Sequence, residues 1–324
     1  MLSFLARRLV YAVLVLIGVN FLTFVLFFSI NTPDDMAYMQ LGRRVTPDAV
    51  QAWKAQRGYD QPLYFNSQAT GLGKLTHTVF FDTSTRFASF DFGSTNEGRD
   101  ITNEVRQRIV PTLSVAGPAF FITIGVATMF SLFMMLLRGS KLDTVGVVVL
   151  VGLMSISSLF FILIGQYLMS KVLRVAPLSG FADGASMFGF VILPIIVIVA
   201  SRLGPEARLY RTIYLEELSK DYVRTARSKG VGEFSILLKH VLRNSLIPII
   251  TSSGLLLPVL FVGSIVVESF FAIPGLGAFT YEGISQQDFG IVRAMVFVGS
   301  AIYILAFLMT DIAYSFADPR IRLT

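Results

Sequence analysis

The sequence predicts an all-α integral membrane protein with six transmembrane helices, both termini cytoplasmic, a long outer segment between the first two helices and a cytoplasmic helical element between the fourth and fifth. Three observations carry this. Hydrophobic residues make up 54% of the 324 and charged residues 15%, against about 25% charged in a soluble domain. Apolar runs long enough to cross a bilayer, at about 20 residues per crossing, recur along the chain. Lys and Arg gather in the short segments that alternating crossings leave on the cytoplasmic side, the bias that sets orientation.

The first apolar run, residues 9–30, follows Arg7-Arg8. It exceeds the roughly 7–15 apolar residues of a signal peptide, and Asn31-Thr32-Pro33-Asp34-Asp35 follows it instead of a small-residue cleavage site. It is therefore expected to be a retained helix. Residues 31–110 are polar, hold the only Trp (Trp53) and contain no span. Thr46-Pro47-Asp48 opens an expected short helix over 49–57. This segment carries nine Lys and Arg residues. That does not contradict an outer location, because the charge rule weakens in loops beyond about 60 residues. It is either a structural cap or part of a docking surface for an external partner.

Further spans are expected at 112–137, 145–170, 187–203, 246–267 and 291–316. Arg138-Gly139-Ser140-Lys141 makes a short basic inner loop, and the outer loop at 268–290 contains no Lys or Arg. Its apolar part, 269–277, is too greasy for an ordinary solvated loop and is expected to dip back toward the membrane under protein cover. The domain division expected is a first helix (1–30), an extracytoplasmic segment (31–110), a transmembrane domain (111–317) and a cytoplasmic tail (318–324).

The most informative stretch is 221–248. Residues 201–245 carry nine basic and five acidic side chains between two spans. The stretch reads as two short helices broken at Gly230-Val231-Gly232. Asp221 is expected to cap the first, and Gly230 to take the left-handed position after it. Such an element suits being gripped by a partner.

Candidate chemistry is sparse. With no Cys there are no disulfides, thiolate metal sites or Cys nucleophile, and His77 and His240 are too few for a metal cage. No metal, cofactor or catalytic set is expected, and the chain is not expected to be an enzyme. It lacks a GxxxxGK[ST] phosphate loop, so it is not expected to bind or split ATP. The net charge of +6 is accounted for by inner loops, and no basic soluble fold points to nucleic acid. Glu268 and Asp311 are ionisable groups close to spans, which is either a functional position or a solvated helix end. Ser155, Ser157, Ser158, Thr251, Ser252 and Ser253 either line a polar path or serve helix packing.

Arg224-Thr225-Ala226-Arg227-Ser228-Lys229-Gly230, with Pro248 beyond, resembles the coupling ("EAA") loop of ABC importer permeases. Arg224 stands in the Glu position and Thr225 in the first Ala position, while Ala226 and Gly230 fit. This departure is similar to the peptide branch of the family. Asp91-Phe92-Gly93-Ser94, Arg243-Asn244-Ser245-Leu246-Ile247-Pro248, Val267-Glu268-Ser269, Pro274-Gly275-Leu276-Gly277 and Asp318-Pro319-Arg320-Ile321-Arg322 extend the resemblance over nearly the whole chain. The sequence departs where Asn31-Thr32-Pro33-Asp34-Asp35 replaces Pro-Gly-Asp-Pro, where Ser157 replaces a Pro, and over 65–89.

The resemblance implies a bacterial inner-membrane importer. This chain and a second homologous permease would form the pathway in the lipid bilayer. Two cytoplasmic ATPase subunits would hold ATP and Mg, and an extracytoplasmic binding protein would deliver substrate. The coupling loop implied is Asp221, Tyr222, Val223, Arg224, Thr225, Ala226, Arg227, Lys229 and Gly230, with Tyr222, Val223 and Ala226 offering apolar contact to the ATPase. Glu268, Phe271, Pro274 and Gly275 are expected at an outer gate or binding-protein contact. Di- or oligopeptides are the expected substrates; nickel complexes, peptide antibiotics, glutathione and oligosaccharides are the alternatives. A stand-alone secondary transporter or channel is the rival class, and would need several ion-coupling groups inside the spans.

Overall fold

The computed structural model describes residues 2–42, 44–182 and 184–317. The tail motif at 318–322 lies outside them. The chain forms two compact units, one from Leu2–Gln107 with Phe279–Ala301, the other from Arg108–Ala278 with residues 302–317. The first helix, the segment after it and residues 279–301 therefore group together. No strand forms among the described residues.

In the first unit, α1 (Leu2–Ile30) precedes α2 (Pro33–Leu41), α3 (Pro47–Arg57), α4 (Gly73–Thr76) and α5 (Val79–Ala88). Local chemistry sets their ends. Thr32 and Asp35 form a reciprocal capping box before α2, with Pro33 in its first turn. Pro47 starts α3, and Gly58 stops it in the left-handed region at φ 71°. The Thr78 hydroxyl accepts from the Phe81 N–H at 3.3 Å to start α5. Phe24 and Phe28 of α1 bury with Met36, Ala37, Val50, Trp53 and Val79 in one apolar core. Leu9, Val10, Leu14, Ile17 and Leu22 of α1 stay exposed, as expected of side chains that meet lipid.

The second unit is built from α6 (Ile101–Leu136) from Arg108 onward and, apart from a short 3-10 turn (Gly184–Ser186), four further elements before the basic stretch. These are α7 (Lys141–Ser155), α8 (Ser158–Gln166), a π-helical turn (Tyr167–Val172) and α9 (Met187–Leu218). Then come α10 (Asp221–Ser228), α11 (Glu233–Ile236), a second π turn (Leu237–Val241) and α12 (Leu242–Phe271). The chain continues through α13 (Leu276–Ser285) and α14 (Phe289–Ala317), of which residues 279–301 belong to the first unit. Ser131 Oγ in α6 donates to the Ala207 carbonyl of α9 at 2.8 Å. Arg211 of α9 grips both carboxylate oxygens of Asp143 in α7, at 2.9 and 3.1 Å.

Five helices are long and apolar enough to cross a membrane, and the α7–α8 pair supplies a sixth if its halves are one span. The span expected over 145–170 coincides with this pair, whose halves meet at 94°. Ile156 turns extended, with ψ 129°, and α8 restarts after Ser157. The span expected at 187–203 runs on as helix to Leu218. Pro194, Pro205, Pro248 and Pro258 all lie inside long helices, which membrane helices tolerate where neighbours satisfy the freed carbonyls.

Candidate functional site: a surface hairpin and a buried carboxylate

The hairpin at 221–236 belongs to the second unit. Its apolar positions recur at helical spacing, and they fix which face turns inward. Val223 is 0% and Ala226 7% exposed, packed with Tyr214, Leu218, Ile236, Leu237 and Val241. The apolar contact expected of Val223 and Ala226 is thus made inside this chain, and neither side chain is available to a partner. Tyr222 is half-buried, and its hydroxyl donates to the Glu217 carboxylate. Burial, followed by that carboxylate, pushes the Tyr222 phenol up to about 12, so it remains a donor at neutral pH.

The opposite face is polar. Asp221, Arg224, Thr225 and Ser228 are exposed at i, i+3, i+4 and i+7, and Arg227, Lys229 and Gly230 extend the patch. Lys220, not Asp221, holds the N-cap position. Asp221 is the first helical residue and places its carboxylate near the positive end of the helix.

The turn after α10 is closed by two backbone bonds. Gly230 N–H donates to the Arg227 carbonyl at 2.9 Å, and Val231 N–H to the Ala226 carbonyl at 3.2 Å. Together they make a Schellman motif, which needs a left-handed residue; Gly230 supplies it at φ 75°. Open space surrounds the position where a Gly230 Cβ would project. Across the turn, the Arg227 guanidinium makes two bonds to Glu233, at 2.6 and 3.1 Å. The second helix of the expected pair is not a separate rod ending at Pro248. It passes through the π turn into α12, and Pro248 lies inside that helix. The hairpin is therefore continuous with one long helix.

The second feature is Glu268, also in this unit. It was expected at the start of a loop, but it lies in the last turn of α12 and is 1% exposed. Thr112 Oγ1 donates to Glu268 Oε1 at 2.8 Å, and Ala278 N–H to Oε2 at 2.9 Å. Leu276 N–H donates to Thr112 Oγ1 at 2.8 Å. Ala272 is left-handed, and Ile273 N–H returns to the Glu268 carbonyl at 2.9 Å. The carboxylate thus pins the chain reversal after α12 from both sides.

Gly275 is necessary to that packing, since a Cβ there would lie 2.4 Å from Glu268 Cδ. Phe271, 2% exposed, packs with Ile273 and Val267. Of the four residues expected at an outer gate, Glu268, Phe271 and Gly275 are buried and Pro274 is exposed. Thr112 was missed from the sequence, where 156 residues separate it from its carboxylate partner.

The hydroxyls divide. Ser155, Ser157, Ser158 and Thr251 are exposed, Ser252 is half-buried and Ser253 buried. Ser155, Thr251, Ser252 and Ser253 donate to carbonyls three or four residues back in their own helices. Thr251 also accepts from the Tyr314 hydroxyl at 2.8 Å, and Ser253 lies 3.3 Å from that of Tyr210. Among the described residues, no cluster of His, Asp and Glu could hold a metal ion.

Comparison with known proteins agrees over the full length. Residues 1–116 match the family model for the N-terminal part of binding-protein-dependent transport system membrane components. Residues 94–323 match that for the binding-protein-dependent transport system inner membrane component. A Brucella abortus (strain 2308) protein named as a peptide transport system permease is 33% identical over 329 residues, covering 99% of both chains. A Brucella suis biovar 1 peptide permease is 33% identical over 335 residues and the whole of both chains. A glutathione transport system permease of Salmonella choleraesuis is 30% identical over 329 residues, 99% of each. With two family models spanning the chain and relatives matched end to end, the chain belongs to the binding-protein-dependent transport system inner membrane component family, the multi-pass inner-membrane permeases of ABC importers.

Proposed function

We propose that this permease imports di- or oligopeptides, and that the polar face formed by Asp221, Arg224, Thr225, Ser228, Lys229 and Gly230 receives the ATPase. The observation that carries the coupling assignment is the sidedness of the hairpin. Its apolar residues are committed to the chain's own core, and its polar residues are exposed together on one face. A push on that face passes through the hydrogen-bonded turn at 229–232 into α11, and from there through the π turn into α12. The family's dependence on a binding protein supports partners on both sides of the membrane. In this reading the hairpin and both termini are cytoplasmic, a second homologous permease completes the path, and two ATPase subunits bind ATP and Mg. The exposed Ser155, Ser157, Ser158 and Thr251 are the path-lining candidates, and the pinned reversal that leaves Pro274 exposed serves as the binding-protein contact, the other role expected of it beside an outer gate.

The peptide substrate rests on the Brucella relatives' names. The Salmonella relative transports glutathione by its name, and glutathione is itself a short peptide. A stand-alone transporter is less well supported, because the buried Glu268 is engaged in holding a backbone reversal.

Gly230→Trp tests the coupling assignment. An indole at this position meets no atom of the chain within 4 Å of its Cβ. The left-handed backbone costs a non-glycine residue about 1–2 kcal/mol, and Gly230→Ala measures that strain alone. The expected result is normal membrane insertion for both variants, with ATPase co-purification and labelled-dipeptide uptake at least tenfold lower in Gly230→Trp than in Gly230→Ala. Wild-type assembly and uptake in Gly230→Trp would remove the assignment.

A further inference from the structure

The first unit contains a buried cation that the transport reading does not use. Arg293 lies near the start of α14 and is 4% exposed. Three phenyl rings surround its guanidinium, with centroids at 5.6 Å (Phe24), 5.4 Å (Phe28) and 5.1 Å (Phe87). The Tyr59 hydroxyl is beside it, no carboxylate pairs with it among the described residues, and Nη2 has no hydrogen-bond partner. Ring faces return part of the desolvation cost of a cation. They do not replace a counter-charge, and a buried charge left unpaired costs several kcal/mol.

Arg293 also lines a cavity of about 120 Å³, together with Tyr59, Arg57, Arg86, Asp82 and Asp91. By size it has room for several waters or one small anion. Charge decides which. Arg86 is engaged by both aspartates, with Asp91 at 3.1 Å and Asp82 at 4.0 Å. Arg57 stacks 4.9 Å over the Trp53 ring and donates to the Thr95 carbonyl at 3.4 Å. The lining therefore has three guanidinium groups and two carboxylates, and among the described residues Arg57 and Arg293 have no acidic partner. Planar guanidinium donors match a carboxylate better than a spherical anion.

We propose that this cavity is a binding site for a small carboxylate, held by Arg293 from within and Arg57 at its rim. The carboxylate comes either from a free small acid or from the C-terminal end of a short peptide, and the two sources are separable. The site stands independently of the coupling hairpin, so its test does not pass through transport.

The test uses the full chain in detergent or nanodiscs, at constant ionic strength. Trp53 is the only tryptophan and stacks against Arg57, so its fluorescence reports the site. Acetate, glycylglycine, glycylglycine amide and chloride are titrated separately. A saturable change with acetate and glycylglycine, absent with the amide and chloride, supports the proposal. Equal affinity for the two carboxylates assigns a free acid, and at least tenfold tighter glycylglycine binding assigns a peptide terminus. Arg293→Met is expected to abolish the response. Arg57→Gln, at a half-buried position outside the apolar core, is expected to weaken binding at least tenfold with unchanged thermal unfolding, and it keeps the test valid if Arg293→Met does not fold. An equal response to chloride and to the amide, no saturable response at all, or wild-type binding in Arg57→Gln would overturn the proposal.

Discussion

The hairpin at 221–236 and the reversal at 268–278 both redirect the chain at a helix end, by opposite means. The hairpin is anchored by apolar burial, with Val223 and Ala226 inserted beside Tyr214 and Leu218, and its polar groups are left outside. The reversal is anchored by a buried carboxylate, whose oxygens are taken by Thr112 and Ala278, and its Phe271 and Ile273 are inside as well. Apolar anchoring is non-directional and leaves a full polar face free for a partner. Polar anchoring is directional and fixes a single backbone geometry, at the risk of a large loss when one partner is removed. The difference separates a surface built to be touched from a turn built to hold its shape.

The reversal should show the larger effects. Glu268→Ala strands the Thr112 hydroxyl and the Ala278 N–H, and is expected to cost about 3 kcal/mol, since each unsatisfied buried group costs about 1–3 kcal/mol. Glu268→Gln should cost less, about 1–2 kcal/mol, because its amide oxygen serves one donor while its NH2 confronts the other. Gly275→Ala drives a methyl into the carboxylate and should match Glu268→Ala. The two changes share one space, so the double variant should lose clearly less than the sum of the single losses. Thermal unfolding in detergent checks the series; strict additivity would mean that Glu268 and Gly275 do not act together.

Substitutions inside the hairpin should have intermediate effects. Val223→Ala removes two buried methyl groups from a fully covered site and is expected to cost about 1–2 kcal/mol. Arg227→Gln breaks the exposed pair with Glu233, and exposed pairs contribute about 1 kcal/mol at most. If Arg227→Gln proved the more destabilising, the hairpin would be held by charge and the contrast with the reversal would fail. Unfolding midpoints of the two variants, measured side by side, decide this.

Much of this layout was legible in the sequence, and the rest was hidden for identifiable reasons. The break at Gly230 could be read because a left-handed turn is a local demand that glycine meets. The spans could be read because hydropathy is additive along a segment. The bend at Ile156 could not, since no proline or glycine, the usual local signals of a break, occupies positions 153–158. The inward direction of Val223 and Ala226 was also hidden. Their spacing shows that they share a face, but only the tertiary fold shows that the face is already covered. The Thr112–Glu268 bond joins residues 156 apart, and Arg293 reads in sequence as one charge at a span's edge, because the rings of its cage come from two distant helices, α1 and α5.

The smallest expected stability effect tests the contrast most sharply. Arg224 projects from the exposed face, and its only ion pair among the described residues is with Asp221 at 3.4 Å, both side chains largely in solvent. Arg224→Ala removes no buried contact, so its unfolding midpoint should match that of the wild type. Arg224 nevertheless occupies the centre of the polar face, one turn before Ser228. A partner seated there would lose a charge-assisted contact, and ATPase affinity should fall about tenfold, the equivalent of about 1.4 kcal/mol. Val223→Ala should show the reverse profile, with lower stability and a smaller change in affinity. Titrating ATPase onto the two purified variants separates the cases. If Arg224→Ala bound normally and Val223→Ala did not, the partner would be reading the shape of the hairpin, with no direct role for its charges.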